Sequence, residues 1–216
     1  MIFIFFTLFP RKIQKHEVKV EKKFLKNIPS TVVALGLVSM FMDISSEMIH
    51  SLLPVFLVSA LNVSALTVGL IEGFAEATAL IVKIFSGALS DWFKKRKFLA
   101  VAGYGLGALT KPLFAMAPDA VTIFFARFLD RIGKGFRGAP RDALIADVTP
   151  TNVRGAAFGL RQSLDTLGAF LGPLLAVVLM FLSSGNYRFV FWTAVIPGLI
   201  SVAILVLAVK EPESQS

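Results

Sequence analysis

Long apolar stretches separated by short polar segments dominate the chain from residue 29 onward. Six stretches, roughly 30–60, 67–90, 98–117, 119–138, 154–182 and 188–209, each provide the run of about 20 apolar residues that a bilayer core requires. Backbone polar groups in hydrocarbon must be satisfied within the segment, and these runs lack the short alternation of a barrel strand. The pattern therefore predicts an all-α integral membrane protein with six transmembrane helices.

Composition excludes several other classes of protein. Hydrophobic residues make up 56% of the chain and charged residues 17%, which leaves a soluble globular domain little support. The chain has no cysteine and two histidines, so disulfides, thiolate metal sites and histidine zinc motifs are excluded, and no nucleophile and base pair indicates an enzyme. We expect no organic cofactor. The apolar segment 1–9 is too short to span a bilayer, and we interpret it as an interfacial anchor or a wrongly assigned start.

Positive charge concentrates in three segments that the pattern places on one side of the membrane. Cytoplasmic loops retain Lys and Arg, so residues 1–28 are predicted to be a basic cytoplasmic arm, and both termini cytoplasmic, in the plasma membrane. The net charge of +8 comes largely from these segments, which favours contact with anionic lipid headgroups over nucleic acid. Residues 29–210 form the predicted membrane domain and 211–216 begin a linker or tail. The cations are Arg11, Lys12, Lys15, Lys19, Lys22, Lys23 and Lys26 in the arm, Lys94, Lys95, Arg96 and Lys97 after the second span, and Lys134, Arg137, Arg141 and Arg154 after the fourth.

Ionisable side chains recur at helical spacing inside four of the six spans. Such groups are costly in a bilayer and rarely face lipid. When the six spans are divided into two groups of three, the first two spans of each group carry these side chains and the third span is nearly apolar. This distribution predicts a 3+3 inverted repeat in which the third helix of each group faces lipid. The stripes are Asp43, Ser46, Glu47 and His50; Glu72, Glu76 and Lys83; Arg127, Asp130, Arg131 and Lys134; and Arg161 with Asp165.

Three motifs resemble those of the major facilitator superfamily of secondary transporters. The segment Gly87–Lys97, Gly-Ala-Leu-Ser-Asp followed by basic residues, is similar to the loop that joins the second and third helices in that family. Arg127–Gly133 resembles the family's fourth-helix element Arg-x-x-Gln-Gly-x-Gly, with Asp130 in place of Gln. Gly168–Pro173 resembles the Gly-x-x-x-Gly-Pro element that the family's antiporters carry, where glycines permit close helix packing and proline permits a bend.

The resemblance implies a fold, a mechanism and roles for particular residues. Family members have about twelve helices in two halves, so six spans correspond to a first half. It implies that Gly87 and Asp91, with the basic residues Lys95 and Arg96, act as a conformational latch against a helix of the other half, and that Gly168, Gly172 and Pro173 form a helix-packing motif. The second half would be a separate polypeptide or a second copy in a homodimer.

We therefore expect alternating-access transport of a small solute, coupled to protons or another cation, through a path lined by the first, second, fourth and fifth spans. The pathway candidates are Asp43, Glu47, His50, Glu72, Glu76, Lys83, Arg127, Asp130, Arg161 and Asp165. Carboxylates in a low-dielectric cavity can exchange protons near neutrality, which favours the first two acidic stripes as proton carriers, while Arg127, Asp130, Arg161 and Asp165 would form structural ion pairs beside a cytoplasmic gate.

Two alternatives stay open at this point. One is a truncated or regulatory membrane subunit without transport activity of its own. The other is a divalent metal exporter, for which Asp43, Glu47 and His50 would supply ligands. The Arg- and Gly-rich segment 135–142 is expected to be a hinge loop near the gate.

Overall fold

The structure, a computed structural model, describes residues 28–93 and 95–210, without the side chains of Asp91 and Phe93. Nearly all of the predicted basic arm and the whole of the predicted 211–216 tail lie outside these residues. The described part is all-helical, which confirms the predicted fold class. Its helices are α1 (Ser30–His50), α2 (Leu53–Ser59), α3 (Ala65–Phe93), α4 (Arg96–Met116), α5 (Ala120–Val148), α6 (Arg154–Leu182) and α7 (Tyr187–Ala208), with a 3₁₀ turn at Thr151–Val153.

These helices make six long membrane-length segments, because α1 and α2 together form the first. Five segments are long and apolar enough to cross a membrane: Ser30–Ser59, Ala65–Ser90, Arg96–Met116, Thr151–Leu182 and Tyr187–Ala208. The remaining long helix, α5, has the length, but eight of its 29 residues are charged. Its place in the bundle therefore depends on how those charges are compensated by the other helices.

Two local expectations about the helices are wrong. The first span is interrupted at Ser51 and Leu52, because Pro54 lacks a backbone N–H and its ring would clash with the carbonyl of His50. The segment 135–142, expected to be a hinge loop, is an uninterrupted part of α5. Consequently Lys134, Arg137 and Arg141 lie in a helix and not in a loop. The prediction that the termini are cytoplasmic therefore depends mainly on the other basic residues.

The helix contacts follow the symmetry that a 3+3 repeat requires. The first span packs against α6 and α7, and α5 packs against α3 and α4, while α4 and α7 contact each other. Exchanging the first three spans with the last three converts the α1–α6 contact into α5–α3, and the α1–α7 contact into α5–α4. Since the spans alternate in direction, the exchanged triplets are inverted.

Burial within the described helices is lowest in the second member of each triplet, and the lipid-facing position of the third members stays a prediction. In the apolar windows, 22% of the α3 residues and 17% of the α6 residues are buried, against 56% for α4 and 33% for α7. The third members are the more covered because α4 and α7 pack on each other as well as on a central helix. The second members, α3 and α6, therefore present the most open apolar surfaces.

Glycines bring the central helices into backbone contact at both symmetric interfaces. A Cβ atom on Gly168 would lie 2.5 Å from the carbonyl oxygen of Met40 on α1, and one on Gly172 would lie 2.6 Å from Cβ of Glu47. Between α4 and α5, a Cβ on Gly103 would lie 2.7 Å from the backbone nitrogen of Arg137. These distances are shorter than real Cβ contacts, so a larger residue at these positions would push the helices apart.

Candidate functional site

A cavity of about 560 Å³ lies between α1, α3, α5 and α6, the four elements that carry the predicted polar faces. Eight charged side chains line it, together with small and polar residues of α3, α5 and α6. The charged residues are Asp43, Glu47, Glu76, Lys83, Lys134, Arg137, Arg141 and Asp165. The structure thus brings five of the ten predicted pathway residues to one wall or another of a single cavity.

The acidic wall is formed by α1 and α6. Oδ1 of Asp43 lies 3.9 Å from the Arg137 guanidinium, a distance longer than a hydrogen bond. Asp165 accepts a hydrogen bond of 2.5 Å from Arg161, one turn away on α6, and lies 3.7 Å from Arg141. Glu47 lines the same wall and, within the described part of the chain, has no basic group within 4.0 Å. The carboxylates of this wall therefore differ in how far the protein neutralises them.

Two arginines of α5 connect that helix to α3. The Arg127 guanidinium pairs with Glu72, and Arg131 lies 2.9 Å from Oε1 of Glu76. Arg127 and Arg131 are both buried, whereas the two glutamates are partly exposed. Glu72 and Glu76 share a helix face as predicted, and each has a cation of α5 as partner.

A separate buried network joins α1, α4 and α5 behind the cavity. Nζ of Lys111 donates to Oδ1 of Asp130 at 2.7 Å and to Oγ of Ser46 at 2.9 Å. Nε2 of His50 lies 3.3 Å from the other oxygen of Asp130, and its Nδ1 lies 3.4 Å from the Arg131 guanidinium. Lys111 is fully buried and Asp130 almost fully, and they are the most deeply buried charged side chains among the described residues.

The network corrects two interpretations of the first polar stripe. Asp43 and Glu47 line the cavity, but Ser46 and His50 turn toward α4 and α5, so the four residues do not serve one surface. Among residues 28–93 and 95–210, no three His, Asp or Glu side chains lie close enough together to hold a metal ion. The postulated ligand set of Asp43, Glu47 and His50 is therefore not assembled.

Four residues in or beside the cavity were not among the predicted pathway residues: Arg137, Arg141, Tyr104 and Ser39. The Arg137 guanidinium lies 5.0 Å from the centre of the Tyr104 ring, within the range of a cation–π contact. Arg141 donates a 2.9 Å hydrogen bond to Oγ of Ser39, whose hydroxyl is 2.9 Å from that of Tyr104. The signal was present in the spacing of residues 134, 137, 138 and 141, which is helical, but the density of Arg, Gly and Pro favoured a loop.

The predicted latch residues lie in the last turns of α3 and at the start of α4. A Cβ on Gly87 would lie 3.8 Å from Cβ of Ala139 on α5, so this position faces that helix. Arg96 pairs with Asp147 of α5 and donates to the Ala143 carbonyl at 3.1 Å, while Lys95 is exposed. The side chain of Asp91 and the whole of Lys94 lie outside the described residues.

Comparison with known proteins relates this geometry to other chains. The family model described as Major Facilitator Superfamily matches residues 35–216. An uncharacterised MFS-type transporter of Methanocaldococcus jannaschii is 29% identical over 202 residues, which cover 94% of this chain and 50% of the relative. A multidrug resistance protein of Yersinia pestis is 30% identical over 74% of this chain and 37% of its own length.

Solved structures share the helix arrangement. A crystal structure of a peptide transporter in complex with sulfate superposes with a TM-score of 0.69 at 18% identity, over 82% of this chain and 37% of the transporter. At this identity the likeness concerns the fold alone. The chain spans about half the length of the curated relatives described above, or less.

Proposed function

The chain belongs to the major facilitator superfamily, a family of transporters rather than enzymes, and we propose that it forms one six-helix half of a transporter that moves a small solute by alternating access. We further propose that transport is coupled to protons or another cation in an antiporter-like exchange. The multidrug resistance proteins among the relatives support a solute of modest size. The motif around Gly168 and Gly172 supports the antiporter assignment.

The charged cavity is the observation that carries this proposal. Eight ionisable groups line a space between helices whose outer surfaces are apolar. A charge facing hydrocarbon is strongly unfavourable, so a cavity of this composition is stable only when it is filled with water or a polar solute. A water-filled space between pseudo-symmetric helix triplets is the arrangement in which secondary transporters bind their substrates.

Within the cavity we assign proton or cation exchange to Asp43 and Glu47. Asp43 has its cation at the outer limit of an ion pair, and Glu47 has none among the described residues, so both are available to exchange a proton. Glu72 and Glu76 are held by Arg127 and Arg131, and we assign them a change of partner during the transport cycle. Arg161 and Asp165 act as a structural pair at the opposite wall.

A partner is proposed for the open surfaces of α3 and α6. Large apolar side chains stand exposed along both helices, including Phe74, Ile84 and Phe85 on α3 and Phe170 on α6. A second six-helix half, on a separate polypeptide or in a second copy of this chain, would cover them and close the cavity on its open side. The proposed latch, Gly87 and Asp91 with Lys95 and Arg96, would then meet that half at the cytoplasmic end, with both termini cytoplasmic in the plasma membrane.

A regulatory subunit without transport of its own is the second candidate. It is favoured by the open apolar faces of α3 and α6, to which another membrane protein could bind. Under that alternative the cavity would not need to communicate with water on both sides of the membrane. Accessibility of the cavity therefore distinguishes the two functions.

The absence of native cysteine makes this accessibility test clean. We expect Thr166→Cys and Ala169→Cys, both at the cavity wall, to react with a membrane-impermeant maleimide in native membranes, from one side at rest and from the other after an imposed proton gradient. Ala77→Cys, on the exposed face of α3 between Phe74 and Ile81, is the matched control and should stay unlabelled. Cavity positions sealed under both conditions would contradict a transport pathway.

The coupling roles have their own test in the chain assembled with its partner half. Asp43→Asn and Glu47→Gln should each reduce gradient-driven efflux of ethidium or of the identified solute at least tenfold, while solute exchange without a gradient persists. Ser163→Ala, at an exposed α6 position outside the cavity lining, is the control and should leave transport unchanged. Full coupled transport in both carboxylate variants would remove these residues from the coupling step.

A further inference from the structure

The basic side of the cavity is organised around one glycine of α5. Lys134, Arg137 and Arg141 recur at helical spacing on either side of Gly138. Lys83 arrives from α3, and its Cε lies 3.9 Å from where a Cβ on Gly138 would be. Four cationic side chains from two helices therefore line this side of the cavity, and Lys83 occupies the space beside Gly138.

These four cations are compensated unequally. Arg141 has Asp142 at 3.0 Å and Asp165 at 3.7 Å, so the protein itself neutralises it. Lys83 and Lys134 line the same cavity, and within the described ranges neither has a carboxylate within 4.0 Å. The cavity therefore retains at least two positive charges on this wall that the fold leaves without an ion pair.

Arg137 supplies the second, independent observation. The residue is 5% exposed and lines the cavity, yet its Nη1 atom is buried and has no hydrogen-bond acceptor. That atom packs against Gly107 of α4, 3.0 Å from where a Cβ on this glycine would be. Nη2 lies 3.9 Å from Asp43, and the guanidinium makes a cation–π contact with the Tyr104 ring. Among the described residues the Arg137 guanidinium donates no hydrogen bond, and an anion in the cavity beside Nη2 would supply an acceptor.

On the opposite wall the imbalance is smaller. Of the four carboxylates that line the cavity, Glu76 on α3 and Asp165 on α6 each have a close arginine that does not line it. This leaves Asp43 and Glu47 against Lys83, Lys134 and Arg137. The cavity thus contains more uncompensated positive than negative charge. A solute whose charge complements this space carries an anionic group on the α3 and α5 side.

We propose that Lys83, Lys134 and Arg137 form an anion subsite, and that the solute carries a carboxylate or a phosphate group that binds there. This inference rests on the proposed transport function and names the chemical class of its solute. Arg137, positioned by its contact with Tyr104, would bind the anion with Nη2, the nitrogen nearest Asp43, and the two lysines would supply mobile point charges. Anionic lipid headgroups carry the same phosphate chemistry, so the test must separate a soluble anion from a lipid.

The test uses the full chain in nanodiscs of phosphatidylcholine alone, at constant ionic strength, with inorganic phosphate and benzoate as probes. Thermal unfolding and equilibrium binding are measured together. We expect at least one of the two anions to raise the melting temperature saturably. Lys83→Gln and Lys134→Gln should each weaken its binding about tenfold or more, because each removes a charge-assisted contact. Lys210→Gln, an exposed lysine beyond the end of α7, is the matched control and should bind as the parent chain does.

A second readout separates binding from a structural role. Because Lys83 and Lys134 lack ion-pair partners among the described residues, their replacement should not lower the melting temperature of the anion-free protein. Loss of folding on either substitution would assign the lysines to structure and overturn the proposal.

Other outcomes are equally decisive. Stabilisation by phosphatidylglycerol in the nanodisc, without any effect of phosphate or benzoate, would make this a lipid site and not a solute site. Binding of tetraphenylphosphonium without binding of either anion would overturn the anion subsite. In that case the labelling of Thr166→Cys and Ala169→Cys would still support a transport pathway, so the two proposals fail separately.

Discussion

Removing the Asp130 carboxylate should destabilise the bundle more than any other single loss of charge considered for this chain. Nζ of Lys111 and Oδ1 of Asp130 are 2.7 Å apart, with 0% and 2% of the side chains exposed. At an effective dielectric of 20, Coulomb's law gives this pair an attraction of about 6 kcal/mol. Desolvation of each ion costs several kcal/mol, so the intact pair contributes little net stability.

The variant Asp130→Asn removes the attraction between Lys111 and Asp130 but keeps the desolvation cost of Lys111. It removes the negative charge that compensates Lys111, whose enclosed ammonium keeps only neutral acceptors, Oγ of Ser46 and the amide oxygen introduced at position 130. Breaking a buried pair in this way typically costs about 3–5 kcal/mol. We therefore expect Asp130→Asn to lower the free energy of unfolding by about that amount, measured by SDS titration with circular dichroism at equilibrium.

A double variant shows whether the loss arises from the orphaned charge. Lys111→Met combined with Asp130→Asn removes both charges, and we expect it to recover at least about 2 kcal/mol relative to Asp130→Asn alone. Asp147→Asn is the control, because the Arg96–Asp147 pair is partly exposed and should contribute about 1 kcal/mol or less. The reasoning would be refuted if Asp130→Asn cost less than about 1 kcal/mol, or if the double variant were as unstable as the sum of its parts.

Two further predictions use the same unfolding assay. Gly168→Ala should lower the free energy of unfolding by about 1–3 kcal/mol, since its Cβ would lie 2.5 Å from the Met40 carbonyl oxygen. Gly159→Ala, on the same helix with nothing within 4 Å, is the control and should be neutral or stabilising by up to about 1 kcal/mol. Equal effects of the two substitutions would contradict the proposed close packing. Glu72→Gln should cost about 1–3 kcal/mol because it removes the close partner of the buried Arg127, and an unchanged unfolding curve would show that this pair contributes nothing.

Hydropathy was sufficient to predict five of the spans and their order, but not where the fourth helix ends. Five spans are apolar along their length, and their limits follow from that. The second half of α5 reads as polar in isolation, because the residues that compensate its cations belong to other helices. Asp43 and Ser39 come from α1, Tyr104 from α4 and Asp165 from α6. Only the packed bundle shows that a helix with Arg137 and Arg141 on it can be buried.

The candidate site was predictable to the level of helix faces and no further. Spacing placed Glu72 with Glu76 on one face of α3, and the structure gives both an arginine on α5. Spacing also placed His50 with Asp43 and Glu47, but positions 43 and 50 are about 10 Å apart along α1. At the level of His50 the helix meets Asp130 and Arg131 of α5 and not the cavity. The partner of Asp130 was equally hidden, because Lys111 looked like an isolated exception in an apolar span until α4 and α5 were seen in contact.

The degree of charge compensation separates structural ionisable groups from those we assign to solute binding. Lys111 and Asp130 satisfy each other in a space closed to water, so their replacement should alter stability and leave an affinity for anions in place. Lys83 and Lys134 have no such partners among the described residues, so their replacement should alter the affinity and leave stability in place. Both groups lie within one six-helix bundle, and burial separates them in the same way, because Lys111 and Asp130 are buried whereas Lys83 and Lys134 are exposed. A chain in which either substitution changed both properties together would show that the cavity and the buried network form one structural unit, and that the unpaired lysines are not evidence of a solute site.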